Sequence, residues 1–195
     1  MIFVAGLSGS GKTVAADRSG VRPVVPLDSY YHDDHVVLPK WLGRSDWEAI
    51  GAYDLDNATS AVLALARGVD VDVPVYDHHV NAKIAVQTTR AVGPFVAEGV
   101  YAPDVYERVV AAGIAAALVL IDVPARTAFA ARIRRDVGDR RMSPVWALVR
   151  SSRLVLRHAS YRSAVVALGA DARSRKVAPA RISALAVADA TQERG

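Results

Sequence analysis

A glycine-rich octapeptide near the N-terminus carries the clearest chemical signal in the sequence. Residues 6–13 read Gly-Leu-Ser-Gly-Ser-Gly-Lys-Thr, the full Walker A pattern, between an apolar run and a helical pattern. In such a loop the glycines let backbone N–H groups converge on phosphate oxygens, the lysine reaches the β- and γ-phosphates, and the threonine hydroxyl meets Mg²⁺. The sequence therefore predicts a nucleotide-phosphate site formed by Gly6, Ser8, Gly9, Ser10, Gly11, Lys12 and Thr13.

A second chemical signal lies at the end of another apolar run. Glu98 follows residues 95–97 and precedes Gly99. In P-loop NTPases an apolar strand delivers a carboxylate next to the magnesium ion. Glu98 and Thr13 are therefore the predicted metal ligands, although a glutamate at this position could instead cap the following turn.

These residues need a scaffold, and the hydrophobic pattern predicts one. Short apolar runs indicate strands at 2–5, 24–27, 95–97 and 117–121, with a weaker signal at 176–177. Helical patterns lie at 58–67, capped by Asp56 or Asn57, and at 104–112, 124–136 and 145–158. This alternation predicts an α/β protein with a parallel sheet of about five strands and helices on both faces, which with the Walker A pattern is the P-loop NTPase fold. Ligands of such sheets bind at the carboxyl ends of the strands.

The composition bounds the protein further. At 195 residues, 52% hydrophobic and 23% charged, it is expected to be one domain spanning 1–195. The absence of cysteine excludes disulfides, thiolate metal sites and cysteine nucleophiles, which favours a reducing, cytoplasmic setting. The longest apolar run, 13 residues at 109–121, is too short for the roughly 20 residues that span a membrane, so no membrane partner is expected.

The charge is distributed unevenly along the chain. Residues 1–125 carry 9 basic and 15 acidic side chains, a balance of −6, whereas residues 126–195 carry 15 and 5, a balance of +10. A basic C-terminal third could face nucleic acid, or equally the triphosphate of a bound nucleotide. Because no aromatic-plus-basic RNA-binding pattern accompanies it, nucleic acid is not expected as a partner.

Several further motifs, in the right order over about residues 2–140, resemble those of the uridine kinases and their phosphoribulokinase relatives. Residues 27–31 (Leu-Asp-Ser-Tyr-Tyr) are similar to the family's second-strand signature. The resemblance implies that Asp28 lies between the γ-phosphate and the acceptor hydroxyl as general base, near the metal, with Tyr31 on the substrate side. A carboxylate at the end of a strand can orient and deprotonate an attacking hydroxyl.

The next motifs imply a substrate pocket. Glu48 stands where the family places an acid on the ribose hydroxyls, although the family's His-Pro is Ala49-Ile50 here. Residues 74–77 (Pro-Val-Tyr-Asp) match the segment whose tyrosine, Tyr76, packs against the nucleoside. Asn81 then replaces the family's base-reading histidine; its amide can still donate and accept hydrogen bonds to a base edge.

An arginine-rich helix and a lid complete the resemblance. Arg132 and Arg135, three positions apart on one helix face, imply a pair of guanidiniums directed to substrate and phosphates, with Arg140 reaching the nucleotide from a lid at about 136–144. The family's Arg-Gly-Arg lid sequence becomes Arg140-Arg141-Met142, which removes the glycine hinge and the second arginine. Arg141 or Arg150 could substitute for that second arginine.

The sequence therefore predicts an enzyme that uses ATP and Mg²⁺ to phosphorylate a small molecule, in first place the 5′-hydroxyl of a pyrimidine nucleoside. The segment at about 29–56 is expected to be the substrate-side excursion from the domain. Two alternatives stay open: a kinase of the same fold for another small alcohol, such as a sugar or a pantothenate-like acid, and an ATP-binding regulator without kinase activity. A homo-oligomer is also left open.

Overall fold

The computed structural model describes residues 1–33, 36–139 and 142–192. The strands within these ranges are β1 (Ile2–Ala5), β2 (Val24–Pro26), β3 (Lys40–Trp41), β4 (Arg44–Ser45), β5 (Val71–Asp77), β6 (Ala82–Thr89), β7 (Val96–Gly99), β8 (Ala117–Ile121) and β9 (Asp171–Arg173). The α-helices are α1 (Lys12–Arg18), α2 (Leu55–Ala66), α3 (Ala102–Ala111), α4 (Ala125–Gly138), α5 (Pro144–Ala167) and α6 (Ala178–Gln192).

Five strands form the main sheet in the order β2-β7-β1-β8-β9, and every pair is parallel. The predicted five-stranded parallel sheet is therefore confirmed. β1 lies at its centre, with β7 and β8 on either side. The carboxyl ends of β1, β2 and β7 consequently meet at one edge, where the Walker A loop follows β1, Asp28 follows β2 and Glu98 lies near the end of β7.

Alternate residues of β1 divide the core in two. Phe3 and Ala5 belong to a cluster that includes buried residues of α2 and α3. Ile2 and Val4 face the opposite cluster, which includes buried residues of α1, α4 and α6. Because side chains alternate between the faces of a strand, this division shows helices on both sides of the sheet, as predicted.

Several predicted boundaries were wrong. The last strand is the polar segment β9, and Val177 lies in the loop that precedes α6. Asp54, rather than Asp56 or Asn57, caps α2 by accepting a hydrogen bond from the Asn57 N–H at 3.1 Å. α5 extends nine residues beyond the predicted end at His158, to Ala167.

Two antiparallel hairpins stand outside the main sheet. β3 and β4 form a short hairpin within the predicted excursion at 29–56, and Tyr31 bridges to Tyr53 near the ends of that segment. The longer hairpin of β5 and β6 was not predicted. Asn81 lies in its turn with a φ of 50°, the left-handed conformation that asparagine tolerates.

α4 ends at Gly138 and α5 begins at Pro144, so the predicted lid at 136–144 covers the connection between these helices. Arg140 and Arg141 lie outside the described residues. Of the helices that are described, none is long and apolar enough to cross a membrane.

Candidate phosphotransfer site

The Walker A residues form a loop between β1 and α1. Gly9 and Gly11 adopt φ values of 84° and 90°, which side chains with a Cβ rarely adopt. A Cβ on Gly9 would come within 2.5 Å of the Ala128 carbonyl oxygen, so the loop also needs glycine to lie against α4. The seven residues of α1 make about two turns, as expected from the short interval before β2.

Asp28 connects the end of β2 to this loop. Its Oδ2 lies 3.1 Å from Lys12 Nζ, and its Oδ1 accepts a hydrogen bond from the Val100 N–H at 2.8 Å. A Cβ on Gly99 would come within 2.9 Å of Oδ1 and 2.8 Å of Leu27 Cβ, so glycine is required for β7 to approach so closely. Lys12 is buried, whereas the Asp28 side chain is partly exposed.

Thr13 and Glu98 meet beside this pair. The Thr13 hydroxyl donates to Glu98 Oε1 at 2.9 Å, and the other carboxylate oxygen, Oε2, is buried without a hydrogen-bond partner among the described residues. Burial raises the pKa of Glu98, and the nearby Lys12 ammonium opposes that effect. A buried carboxylate with an unused oxygen is therefore held next to the phosphate loop.

These oxygen donors fit a magnesium ion. Mg²⁺ prefers oxygen ligands and is commonly held by one or two protein groups together with substrate phosphates. Thr13 and Glu98 supply such groups, and Asp28 lies near them through its contact with Lys12. Within 1–33, 36–139 and 142–192 no three acidic, histidine or cysteine side chains cluster in a way that could hold a metal ion by themselves.

Glu48 is the centre of a buried charge cluster. Arg132 Nη2 donates to Glu48 Oε1 at 2.5 Å, and Arg150 Nε donates to the same oxygen at 2.9 Å. Glu48 Oε2 is buried and has no partner within the described parts of the chain. Burial lowers the pKa of Arg132, and the Glu48 carboxylate partly reverses that shift. One oxygen of Glu48 is thus held by two arginines, and the other is buried without a hydrogen-bond partner among the described residues.

Asp136 fixes Arg132 and Arg135 of α4. Its Oδ1 accepts from Arg135 Nε and Nη2 at 3.0 and 2.9 Å, and its Oδ2 accepts from Arg132 Nε at 3.4 Å. Arg135 Nη2 also donates to Ser8 Oγ at 3.0 Å, which ties α4 to the phosphate loop. The predicted shared face of Arg132 and Arg135 is therefore confirmed, and Asp136 is a holding residue that the sequence analysis did not identify.

A cluster of aromatic rings surrounds Tyr31 in the same site. Tyr31 lies at the centre, with ring centroids 5.7 to 6.3 Å from those of Trp47, Tyr53, Tyr76, His78 and Tyr101. Burial is the main cause that raises the pKa of Tyr31 well above its ordinary value, so its phenol is neutral at physiological pH. Such a cluster offers flat apolar surfaces for a planar or ring-shaped ligand.

A ladder of arginine and tryptophan side chains closes one side of the site. The Trp41 and Trp146 rings lie 5.7 Å apart, with Arg153 over the first and Arg44 over the second at 4.7 Å each. Arg153 also makes a bidentate ion pair with Asp46 at 2.8 and 2.9 Å. These contacts join the β3–β4 hairpin to α5.

Part of this arrangement lines a cavity of about 810 Å³. The predicted site residues that line it are Ser8, Asp28, Tyr31, Glu48, Tyr76, Asn81, Arg132 and Arg135. Lys12, through its ion pair, links this cavity to the rest of the phosphate loop and to Glu98. Arg140, predicted to reach the nucleotide, lies outside the described residues.

Comparison with known proteins agrees with this arrangement. The model of the phosphoribulokinase/uridine kinase family matches residues 29–153. The chain belongs to this family. It is accordingly a P-loop kinase of a family of ATP-dependent phosphotransferases. The matched segment begins directly after Asp28 and contains the excursion, the β5–β6 hairpin and the arginines of α4.

Individual relatives are distant. A uridine kinase of Deinococcus deserti is 30% identical over 155 residues, covering 74% of this chain and 72% of that protein. A uridine kinase of Ureaplasma parvum serovar 3 is 26% identical over 151 residues, covering 73% and 72%. A solved structure of a candidate fructose transport system kinase from Silicibacter sp. TM1040 is 19% identical, with a TM-score of 0.54 over 77% of this chain and 78% of that one, which is a likeness of fold.

The cavity also contains residues that the sequence analysis missed. Tyr101 and Asp104 line it from the start of α3, and Arg157 and Tyr161 line it from α5. The first two could have been expected, because they follow the β7 strand that delivers Glu98 to the same edge of the sheet. The α5 residues carry no such signal, since their approach depends on how a 24-residue helix packs over the site.

The Glu98→Gln variant should weaken metal binding without lowering the stability of the fold. Glutamine keeps the acceptor for Thr13 but cannot ionise. Because Glu98 has a raised pKa in the fold, its ionised form destabilises the protein above that pKa, and the penalty disappears as the pH falls through it. We therefore expect a thermal midpoint at pH 7 that is at least as high as that of the parent, measured without ligand.

The same variant should lose its dependence on magnesium. ATP affinity in MgCl₂ should fall by about ten-fold or more, since even loss of an outer partner of a metal ligand commonly costs that much. In the parent this Mg²⁺-dependent gain should shrink as the pH falls, because protons compete for the carboxylate. Titration calorimetry with and without MgCl₂ measures it, and Glu107→Gln, at an exposed acid of α3, is the control. Parent-like magnesium dependence in Glu98→Gln would remove Glu98 from the metal site.

Proposed function

We propose that this protein transfers the γ-phosphate of ATP to a hydroxyl of a small molecule, and that the 5′-hydroxyl of a pyrimidine nucleoside is the acceptor to test first. The observation that carries the proposal is the position of Asp28. It contacts Lys12 of the phosphate loop and lines a cavity that aromatic side chains also line. A hydroxyl bound in that cavity would lie between the carboxylate and the nucleotide.

In the proposed reaction the acceptor oxygen forms a bond to the γ-phosphorus while the bond to the ADP oxygen breaks. The acceptor proton passes to the Asp28 carboxylate, which is held in place by the Val100 N–H. The Lys12 ammonium has three donors, so it can hold Asp28 and a phosphate oxygen together. Mg²⁺, when bound by Thr13 and Glu98, would neutralise phosphate charge.

Arg132 and Arg135 would assist from α4. Arg135 already bonds to Ser8 of the phosphate loop, and Arg132 lies between Glu48 and Asp136. Their cationic groups are preorganised by buried carboxylates, so little rearrangement is needed when charge develops on the transferring group. Arg150, which also bonds to Glu48, offers a further cation. This matters because the chain has methionine at a lid position where the family has arginine.

Three features support a nucleoside as acceptor. The rings around Tyr31, including Tyr76, can pack against a base or a sugar. Glu48 lines the cavity and its buried Oε2 lacks a hydrogen-bond partner among the described residues, so vicinal hydroxyls that reach this oxygen would satisfy it. Asn81, at the hairpin turn, can bond to a base edge. The uridine kinases among the relatives give the same suggestion from a different source.

A kinase for another small alcohol is the second candidate. The observation that favours it is Asn81, which stands where the family's base-reading histidine is expected. An amide can serve a sugar hydroxyl as well as a base, and the structural neighbour is named for a fructose transport system. Several arginines of the cavity wall would also suit an acidic alcohol.

The test is phosphate transfer from ATP and Mg²⁺ to a panel of acceptors comprising uridine, cytidine, purine nucleosides, sugars and pantothenate. Transfer to uridine or cytidine, with Asp28→Asn inactive, is the expected result. Transfer only to another alcohol would replace the acceptor and keep the mechanism. ATP binding with no transfer to any acceptor would contradict the kinase proposal and favour a regulatory protein.

Asn81→Gly tests the assignment of the hairpin turn. Glycine keeps the left-handed backbone and removes only the amide. We expect the KM of the preferred acceptor to rise about five- to ten-fold with the KM of ATP unchanged, the effect of one lost hydrogen bond of about 1 kcal/mol. Val80→Ala, at the exposed neighbouring position, is the control. An unchanged acceptor KM in Asn81→Gly would show that the amide does not contact the acceptor.

A further inference from the structure

Arg175, which lies far from the phosphate loop in sequence, makes hydrogen bonds to that loop. It lies between β9 and α6, and its Nε and Nη2 donate to the carbonyl oxygens of Ser10 and Gly9, both at 2.7 Å. A turn holds it in place, since Ser174 O accepts from the N–H groups of Val177 and Ala178 at 3.1 and 3.0 Å. The guanidinium therefore bridges two successive peptide groups of the Walker A loop.

Gly11 makes room for this contact. A Cβ at Gly11 would lie 2.7 Å from Arg175 Nε and 3.0 Å from its Cδ. The arginine side chain thus occupies the space that any larger residue at position 11 would need. The fit is specific to this pair, and it places the side chain against the loop's last glycine before Lys12.

The two bridged peptides are fixed in orientation. In a trans peptide the C=O and the N–H point in opposite directions. The Gly9–Ser10 peptide is held at both ends, because the Ser10 N–H donates to the Leu7 carbonyl at 2.9 Å. The Ser10–Gly11 peptide has its carbonyl on Arg175, which directs the Gly11 N–H away from the guanidinium, and within the described residues this N–H makes no hydrogen bond.

We propose that Arg175 is a positioning residue for the nucleotide phosphates, which acts by holding the carbonyls of the loop outward so that a free N–H faces the phosphate site. If the Ser10–Gly11 peptide turned over, its carbonyl oxygen would face the phosphates and repel them. The guanidinium prevents this with two charge-assisted hydrogen bonds. The inference rests on the use of ATP by the family and is independent of the acceptor.

The proposal predicts which ligands depend on Arg175. Arg175→Ala should weaken binding of ATP, ADP and inorganic tripolyphosphate by about ten-fold, the effect of about 1.4 kcal/mol, and leave adenosine and AMP unchanged. Titration calorimetry on the full chain measures these dissociation constants without turnover, so failure of the acceptor proposal would not affect the result. Lys176→Ala, which removes a neighbouring exposed charge from the same loop, is the control.

Arg175→Lys distinguishes geometry from charge. A lysine keeps the charge but lacks the fixed fork that bridges both carbonyls, so most of the ten-fold loss should persist. Full recovery with lysine would overturn the proposal in favour of simple charge attraction. Equal losses of affinity for AMP and ATP would overturn the proposal and indicate that Arg175 contacts the adenine. Unchanged affinities in Arg175→Ala would show that Arg175 has no role in phosphate binding. Unchanged thermal midpoints confirm that the variants are folded.

Discussion

Asp28→Asn should reduce the turnover number for phosphate transfer by about 10²- to 10⁴-fold, the usual contribution of a general base. Asparagine can still accept from the Val100 N–H, so the position of the side chain is preserved, but it cannot take up the acceptor proton. Loss of the ion pair frees Lys12 for the phosphates. We therefore expect ATP to bind at least as tightly as it does to the parent protein.

Steady-state kinetics with the best acceptor and calorimetry with ATP measure the two effects separately. Asp17→Asn, at an exposed acid on α1, serves as the matched control and should leave both unchanged. If Asp28→Asn retained the parent turnover number, the base would have to be sought elsewhere in the cavity, where Asp104 is a carboxylate without an assigned role. Equal losses of turnover and ATP affinity would instead indicate a damaged phosphate loop.

Arg132→Met should have the largest effect on stability. Arg132 is 3% exposed and lies between Glu48 and Asp136, so its removal leaves two buried carboxylates with reduced compensation. Removing one partner of a buried ion pair costs about 3–5 kcal/mol, and here the remaining contacts of Arg150 and Arg135 favour the lower end of that range. Urea denaturation measures the change in the free energy of unfolding. The dependence of that free energy on urea concentration should be the same in the variant and the parent, so that the two values can be compared.

Arg135→Met provides the comparison for that variant. The side chain of Arg135 is 41% exposed, but it makes the shorter contacts to Asp136, which is buried, so its loss should cost about 1–3 kcal/mol, less than the loss of Arg132. Both variants should nevertheless transfer phosphate more slowly, because each removes a cation from the site. Equal stability losses in the two variants would contradict the assignment of Arg132 as the buried anchor of the charge cluster.

The local hydrophobic pattern of the sequence was sufficient to predict the central strands of the main sheet. β1, β7 and β8 are buried on both faces, so their sequences are continuous apolar runs that are visible without any partner. β9 is an edge strand that pairs only with β8, and its Asp171-Ala172-Arg173 sequence gives no such signal. The apolar Val177 nearby was therefore mistaken for the strand. The β5–β6 hairpin was missed for a similar reason, since β6 is largely exposed and its alternation is weak.

The candidate site also has parts that could be predicted from local sequence and parts that could not. Strand ends in a parallel sheet converge, so the neighbourhood of Lys12, Asp28 and Glu98 could be predicted from motifs far apart in sequence. The resemblance to uridine kinases added Glu48 and Arg132, which the structure brings into contact. The bond from Arg175 to the phosphate loop joins residues 165 positions apart and has no local pattern, so it could not be predicted.

The arginine–tryptophan ladder has an optical consequence. The chain contains three tryptophans, and all three belong to the cavity wall or to the ladder that closes it: Trp41, Trp47 and Trp146. The intrinsic indole fluorescence of the protein therefore originates entirely at this cavity, where we propose that the acceptor binds. A molecule that enters the cavity displaces water around these rings and shifts their emission, whereas the Arg175 side of the phosphate loop has no tryptophan to respond. Occupancy of the acceptor cavity can thus be followed without a label and without turnover.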